Sequence, residues 1–60
     1  MLPKHILIVK SSSMGDIVHA LPVAYDIKKA FPDARLDWVA EEAFQDIPKL
    51  SPCVDGVIVI

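Results

Sequence analysis

HILIVKSSSMGDIVHALPVAYDIKKAFPDARLDWVA, residues 5–40, changes its hydrophobic period twice. It opens on the aliphatic run HILIV (5–9), crosses a loop of small residues, and then places Ile17, Leu21, Ala24, Ile27 and Phe31 at helical spacing. One apolar stripe on a helix suits a helix that covers a sheet. FPDA (31–34) closes the helix, because Pro32 cannot continue it cheaply and Asp33 favours a turn. In RLDWVA (35–40), polar Arg35 and Asp37 alternate with Leu36 and Trp38, the period of a strand. The stretch therefore predicts strand, helix from Asp16 to Phe31, and strand. Strands joined by a helical crossover run parallel.

Working outward, EEAFQDIPKL (41–50) predicts about two helical turns from Glu41, with Glu41 and Glu42 in the first turn, where the helix dipole favours acids. Pro48 and Pro52 stop it. GVIVI (56–60) supplies a third strand. HILIV and GVIVI read as strands covered on both faces, and RLDWVA as one less completely covered. The fold class is α/β: a β-α-β-α-β unit with two right-handed crossovers, the opening of a Rossmann-like, doubly wound parallel sheet. GVIVI carries no turn or cap after it, so the sheet is expected to continue beyond Ile60, with residues 1–60 a partial domain. Two helices cannot cover both faces of three apolar strands, and the isolated chain is expected to aggregate or stay loosely ordered.

Composition agrees with that expectation. A chain of 60 residues buries only about 60% of its unfolded surface, which allows one domain at most and a marginal one. Yet 53% of the residues are hydrophobic and the mean hydropathy is +0.44, as in the interior of something larger. The net charge is −2 and the six basic residues are scattered, so there is no electrostatic footprint for nucleic acid. Cys53 is the single cysteine, which excludes an internal disulfide and a cysteine-rich zinc site and suits a reducing compartment. It reads as a small, half-buried apolar residue. The run from Ile6 to Val9 is shorter than the ~7–15 residues of a signal-peptide core or the ~20 of a membrane span, so the chain reads as cytosolic.

Ligands of open parallel sheets bind outside the carboxyl ends of the strands, and KSSSMGD (10–16) stands there after the first strand. A dinucleotide loop would need G-x-G-x-x-G, but only Gly15 is present and Ser11 to Ser13 carry Cβ atoms. A G-x-x-x-x-G-K-[ST] phosphate loop also fails. Asp16 has two readings: a helix N-cap accepting from backbone N–H groups, or a chemical group at the ligand edge. Pro22 complicates the cap. With Asp16 as N-cap, Pro22 falls in the second turn, against the carbonyl of Val18, and a kink follows. Otherwise Gly15 to Leu21 form a separate turn and Pro22 takes the first position of the main helix.

Two stretches, VKSSSMGDIVHALP (9–22) and DWVAEEAF (37–44), together at this spacing, resemble the N-terminus of the lipopolysaccharide heptosyltransferases that add the first heptose of the inner core. The resemblance runs from Ile6 to Pro48 and more weakly to Ile60. The family more often has Thr where Ser11 stands and Gly where Ala43 stands; neither position carries a proposed catalytic group. The resemblance implies a GT-B glycosyltransferase with an acceptor-side N-terminal domain, here in part, and a C-terminal donor-binding domain absent from this chain. It implies ADP-heptose as donor and the lipid-linked Kdo core as acceptor, with inversion of the anomeric centre. It further implies peripheral contact with the cytoplasmic face of the inner membrane, no cofactor and no required metal; no D-x-D triad is present.

By the family's motif, Asp16 matches the general base for the acceptor hydroxyl, and Ser12, Ser13, Met14 and Gly15 match the loop shaping the acceptor side. Lys10 would offer a positive charge to acceptor phosphate or carboxylate groups, or simply be solvated. His19, three residues after Asp16, can share its helix face, although a lone histidine is more often packed or solvated. Glu41 and Glu42 follow the second strand at the ligand edge, with a helix start as their plain reading. Trp38 reads as core, and His5, at the amino end of its strand, has no assigned role. The fragment alone is expected to be inactive. The competing reading is a small α/β binding or signalling module in which Asp16 only caps a helix.

Overall fold

The computed structural model describes residues 2–60. Three parallel strands, β1 (His5–Val9), β2 (Arg35–Ala40) and β3 (Gly56–Val59), form one sheet in the order β1-β2-β3. The helix α1 (Met14–Ala30) joins β1 to β2. The register sets Ile6 opposite Leu36, Ile8 opposite Trp38 and Trp38 opposite Val57, which lines these side chains up on one face. Ile17 and Ala24 of α1 close over that face, and with Leu36, Trp38 and Ala40 they form a fully buried cluster. Leu21, Ile27, Phe44, Ile47 and Val54 pack around it.

The stripe predicted on the helix is the one that is used, but its start and Pro22 differ from expectation. α1 begins at Met14, with Ser13 as N-cap, and runs unbroken through Pro22 to Ala30. Neither a cap at Asp16 nor a separate turn before Pro22 forms. Pro22 leaves the Val18 carbonyl without its helical donor, and both residues lie on exposed helix surface. The Phe31 N–H donates to the Ile27 carbonyl, and Ala34 N–H to Phe31, which closes the turn around Pro32 and Asp33.

The second crossover is not the expected α-helix of a β-α-β-α-β chain. It is a pair of 3₁₀ turns, Glu42–Phe44 and Pro48–Leu50. Pro48 has no N–H to offer the Phe44 carbonyl, so Ile47 N–H closes a tighter bond to it, and Pro48 starts the second turn. The expected order of strand burial is also reversed. Central β2 is the most enclosed strand despite its polar alternation, with Asp37 itself buried. The other sheet face is open, leaving Leu7 48%, Val9 68% and Ile58 46% exposed.

The amino edge of the sheet is tied by charge. Asp37 Oδ2 accepts from Arg35 Nε at 3.0 Å and pairs with His5 Nε2 at 2.7 Å, joining β1 to β2. Lys28 Nζ, in the last turn of α1, donates to the Ala34 carbonyl and to Asp55 Oδ2, each at 2.7 Å. Asp55 Oδ2 also accepts from Leu36 N–H at 2.7 Å, so one carboxylate fastens helix, central strand and the entry to β3.

Candidate functional site

The carboxyl edge is built differently, from backbone bonds under exposed polar side chains. After Val9 the chain leaves the sheet, and its carbonyls are taken up in turn. Lys10 accepts from Trp38 Nε1–H at 3.0 Å, Ser11 from Glu41 N–H at 3.0 Å, and Ser13 from Ile17 N–H at 2.9 Å, the opening bond of α1. The loop between β1 and α1 is thereby fixed to the end of β2. Ser12, Ser13, Met14, Gly15 and Asp16 all lie exposed on its outer side, together with Lys10.

Ser13 has the extended backbone of an N-cap, but its hydroxyl makes no capping bond. Instead Ser13 Oγ points to Asp16 Oδ2 at 3.4 Å. Asp16 is the third residue of α1, where the positive end of the helix dipole favours a carboxylate. Of the two readings of Asp16 from sequence, the N-cap is overturned: Ser13 holds that place, and Asp16 is exposed at the carboxyl edge of the sheet. Gly15 has a negative φ and open space around its Cβ position, so neither backbone strain nor packing within the chain demands glycine there.

Glu41 and Glu42 are exposed at the same edge, Glu41 directly after β2 and Glu42 opening the first 3₁₀ turn. His19 is exposed on α1 one turn beyond Asp16, with no hydrogen bond to it among the described residues. Cys53 is half-buried against the core, as expected. His5 lies at the opposite edge, paired with Asp37. Trp38 is core, as predicted, but the sequence reading missed its bond to Lys10. The signal was available: a buried indole N–H needs an acceptor, and the end of the neighbouring strand is the nearest backbone.

The shifted carboxyls belong to the amino edge. The hydrogen bond from Arg35 holds Asp37 below the usual carboxylate range, helped by His5 and opposed by burial. Lys28, then the Leu36 N–H, does the same for Asp55. Such shifts often mark functional sites, but here each is accounted for by a pair that ties strand ends.

No family model matches the chain. Individual proteins do. Over 53 residues, 88% of this chain, it is 49% identical to lipopolysaccharide heptosyltransferase 1 of Escherichia coli K12 and 47% identical to that of Pseudomonas aeruginosa. The solved E. coli heptosyltransferase WaaC with ADP-2-deoxy-2-fluoro heptose superposes on 93% of the chain with a TM-score of 0.84 and 46% identity. The chain spans only 17% and 15% of the two curated relatives and 18% of the solved one. By sequence and by backbone alike, the chain matches the N-terminal part of lipopolysaccharide heptosyltransferase 1 over most of its own length.

Proposed function

We propose that this chain is the acceptor-side N-terminal segment of an inverting GT-B glycosyltransferase that transfers heptose from ADP-heptose to the lipid-linked Kdo inner core. The observation that carries the proposal is the exposed Asp16 carboxylate on a backbone-pinned loop at the carboxyl edge of β1, in a chain about half identical to heptosyltransferase 1. A donor-binding domain would follow in the same polypeptide. The acceptor, being lipid-linked, would bring the enzyme to the cytoplasmic face of the inner membrane as a peripheral protein.

The chemistry required of this segment is proton removal. A neutral sugar hydroxyl is a poor nucleophile at pH 7, and a placed base contributes typically ~100- to 10,000-fold. The Asp16 carboxylate takes the hydroxyl proton while the acceptor oxygen bonds to the anomeric carbon. The bond from that carbon to the ADP oxygen breaks on the opposite side, which inverts the centre and releases ADP. Lys10 supplies positive charge beside the acceptor's anionic groups, and Ser12, Ser13, Met14 and Gly15 form the surface on which it rests. The reading of a binding module with Asp16 as a mere cap loses its basis, because Ser13 occupies the cap position.

The test is transplantation. E. coli heptosyltransferase 1 with its N-terminal segment replaced by residues 2–60 of this chain should transfer heptose to a Kdo–lipid A acceptor. A folded chimera that binds ADP-heptose but transfers nothing would refute the assignment.

A further inference from the structure

Trp38 is fully buried, in one cluster with Ile17, Ala24, Leu36 and Ala40. Its one polar atom is spent outside that cluster. Nε1–H donates at 3.0 Å to the carbonyl of Lys10, the first residue past β1 and therefore the first of the loop that leads to Asp16. The neighbouring bond, from Glu41 N–H to the Ser11 carbonyl, comes from the same end of β2. On the far side of the loop, Ile17 follows Asp16 directly and belongs to the same buried cluster as the indole. The segment from Lys10 to Ile17 is thus anchored at both ends to the neighbourhood of one side chain. Between the anchors every side chain except Ser11 is exposed, so Asp16, in the first turn of α1 with Ser13 Oγ at 3.4 Å, is held from below by the backbone of this segment and by its helix and not by packing of its own side chain.

We infer that Trp38 is a positioning residue for the Asp16 carboxylate, setting the height of the loop above the sheet through its indole N–H. This rests on Asp16 being the base. Trp38 does not touch substrate; it acts through the Lys10 carbonyl. The indole suits this task because it is rigid and wedged in a filled core, so its N–H cannot follow the loop if the loop drifts. Misplacing a reacting group by about 1 Å costs on the order of 100-fold in rate, so a backbone bond that removes part of that freedom is visible in turnover.

The experiment replaces Trp38, in the full-length protein, by its benzothiophene analogue, in which sulfur stands for N–H and the shape is nearly unchanged. Heptose transfer is measured over a range of acceptor concentrations under conditions where chemistry limits turnover, beside Asp16→Asn and the double variant. The expected result is a fall in kcat of roughly 10- to 100-fold with the acceptor KM and the melting temperature held. On the Asp16→Asn background the analogue should add less than about 3-fold, because positioning an absent base has no value. A kcat within 2-fold of the parent protein, or the full loss repeated on top of Asp16→Asn, overturns the inference and leaves the role of Asp16 intact. Near-normal turnover in Asp16→Asn alone overturns the assignment of the base, and the positioning role with it.

Discussion

Two glycines give opposite predictions from the same substitution. Gly56 opens β3 opposite Asp37, and a Cβ built on it would lie 2.7 Å from Asp37 Oδ1 and 2.8 Å from an Arg35 guanidinium nitrogen. Its φ is not positive, so alanine is allowed by the backbone. On chain entropy alone, Gly56→Ala would therefore stabilise the fold by about 0.4–1 kcal/mol. The contact reverses the sign. Arg35 can swing its tip away, but Asp37 is held by His5 and by Arg35, and its Oδ1 is sealed without a partner. Crowding of this kind costs typically ~1–3 kcal/mol, which leaves a net destabilisation on the order of 1–2 kcal/mol. Gly15→Ala has no neighbour to meet and should stabilise by up to ~1 kcal/mol, the helix preference of alanine over glycine. Urea unfolding of the full-length protein, with equal slopes required of all variants, measures both. Equal or greater stability in Gly56→Ala would refute the account of the Asp37 pocket.

Two further outcomes follow from the charges and the open face. As pH falls from 7, stability should decline. The folded values of Asp37 and Asp55 are depressed, so their contribution is present above the ordinary aspartate range and is lost as pH falls through the folded values. Asp55→Asn should flatten that acid slope in melts between about pH 3 and 7, and an unchanged slope would contradict the Lys28–Asp55 tie. The isolated 60-residue chain, with Leu7, Val9 and Ile58 uncovered, should sediment as oligomers or aggregate. Ile58→Lys should shift it toward monomer, and a parent chain that stays monomeric at high micromolar concentration would contradict an exposed apolar face.

Much of this architecture is legible in residues 5–40. The aliphatic run from Ile6, the stripe of Ile17, Leu21, Ala24 and Ile27, and the break at Pro32 give strand, helix and strand in place. What misleads is polarity inside β2. Asp37 looks like a solvent-facing residue, but Arg35 pairs with it and His5 hydrogen-bonds to it where it is buried, so the strand that reads as least covered is the central one. Pro48 misleads in another way: it reads as a helix stop, when its missing N–H already tightens the turn before it. At the candidate site the residues are legible and the geometry is not. In sequence Asp16 reads as a cap as readily as a chemical group, and only the fold gives the cap position to Ser13 and frees Asp16. The bond from Trp38 to Lys10 spans 28 residues: the sequence signals that the indole N–H needs an acceptor, and the strand register selects the Lys10 carbonyl.

The most direct measurement of the central claim is the rate of heptose transfer by Asp16→Asn in the full-length protein, under conditions where chemistry limits turnover. Asparagine keeps the size of the side chain, and since Ser13 is the cap, the stability lost should not exceed about 1 kcal/mol, the share of the helix dipole. The account predicts a loss of roughly 100-fold or more with acceptor binding largely kept, the scale of lost proton abstraction. An asparagine variant that turns over at a near-normal rate would contradict it.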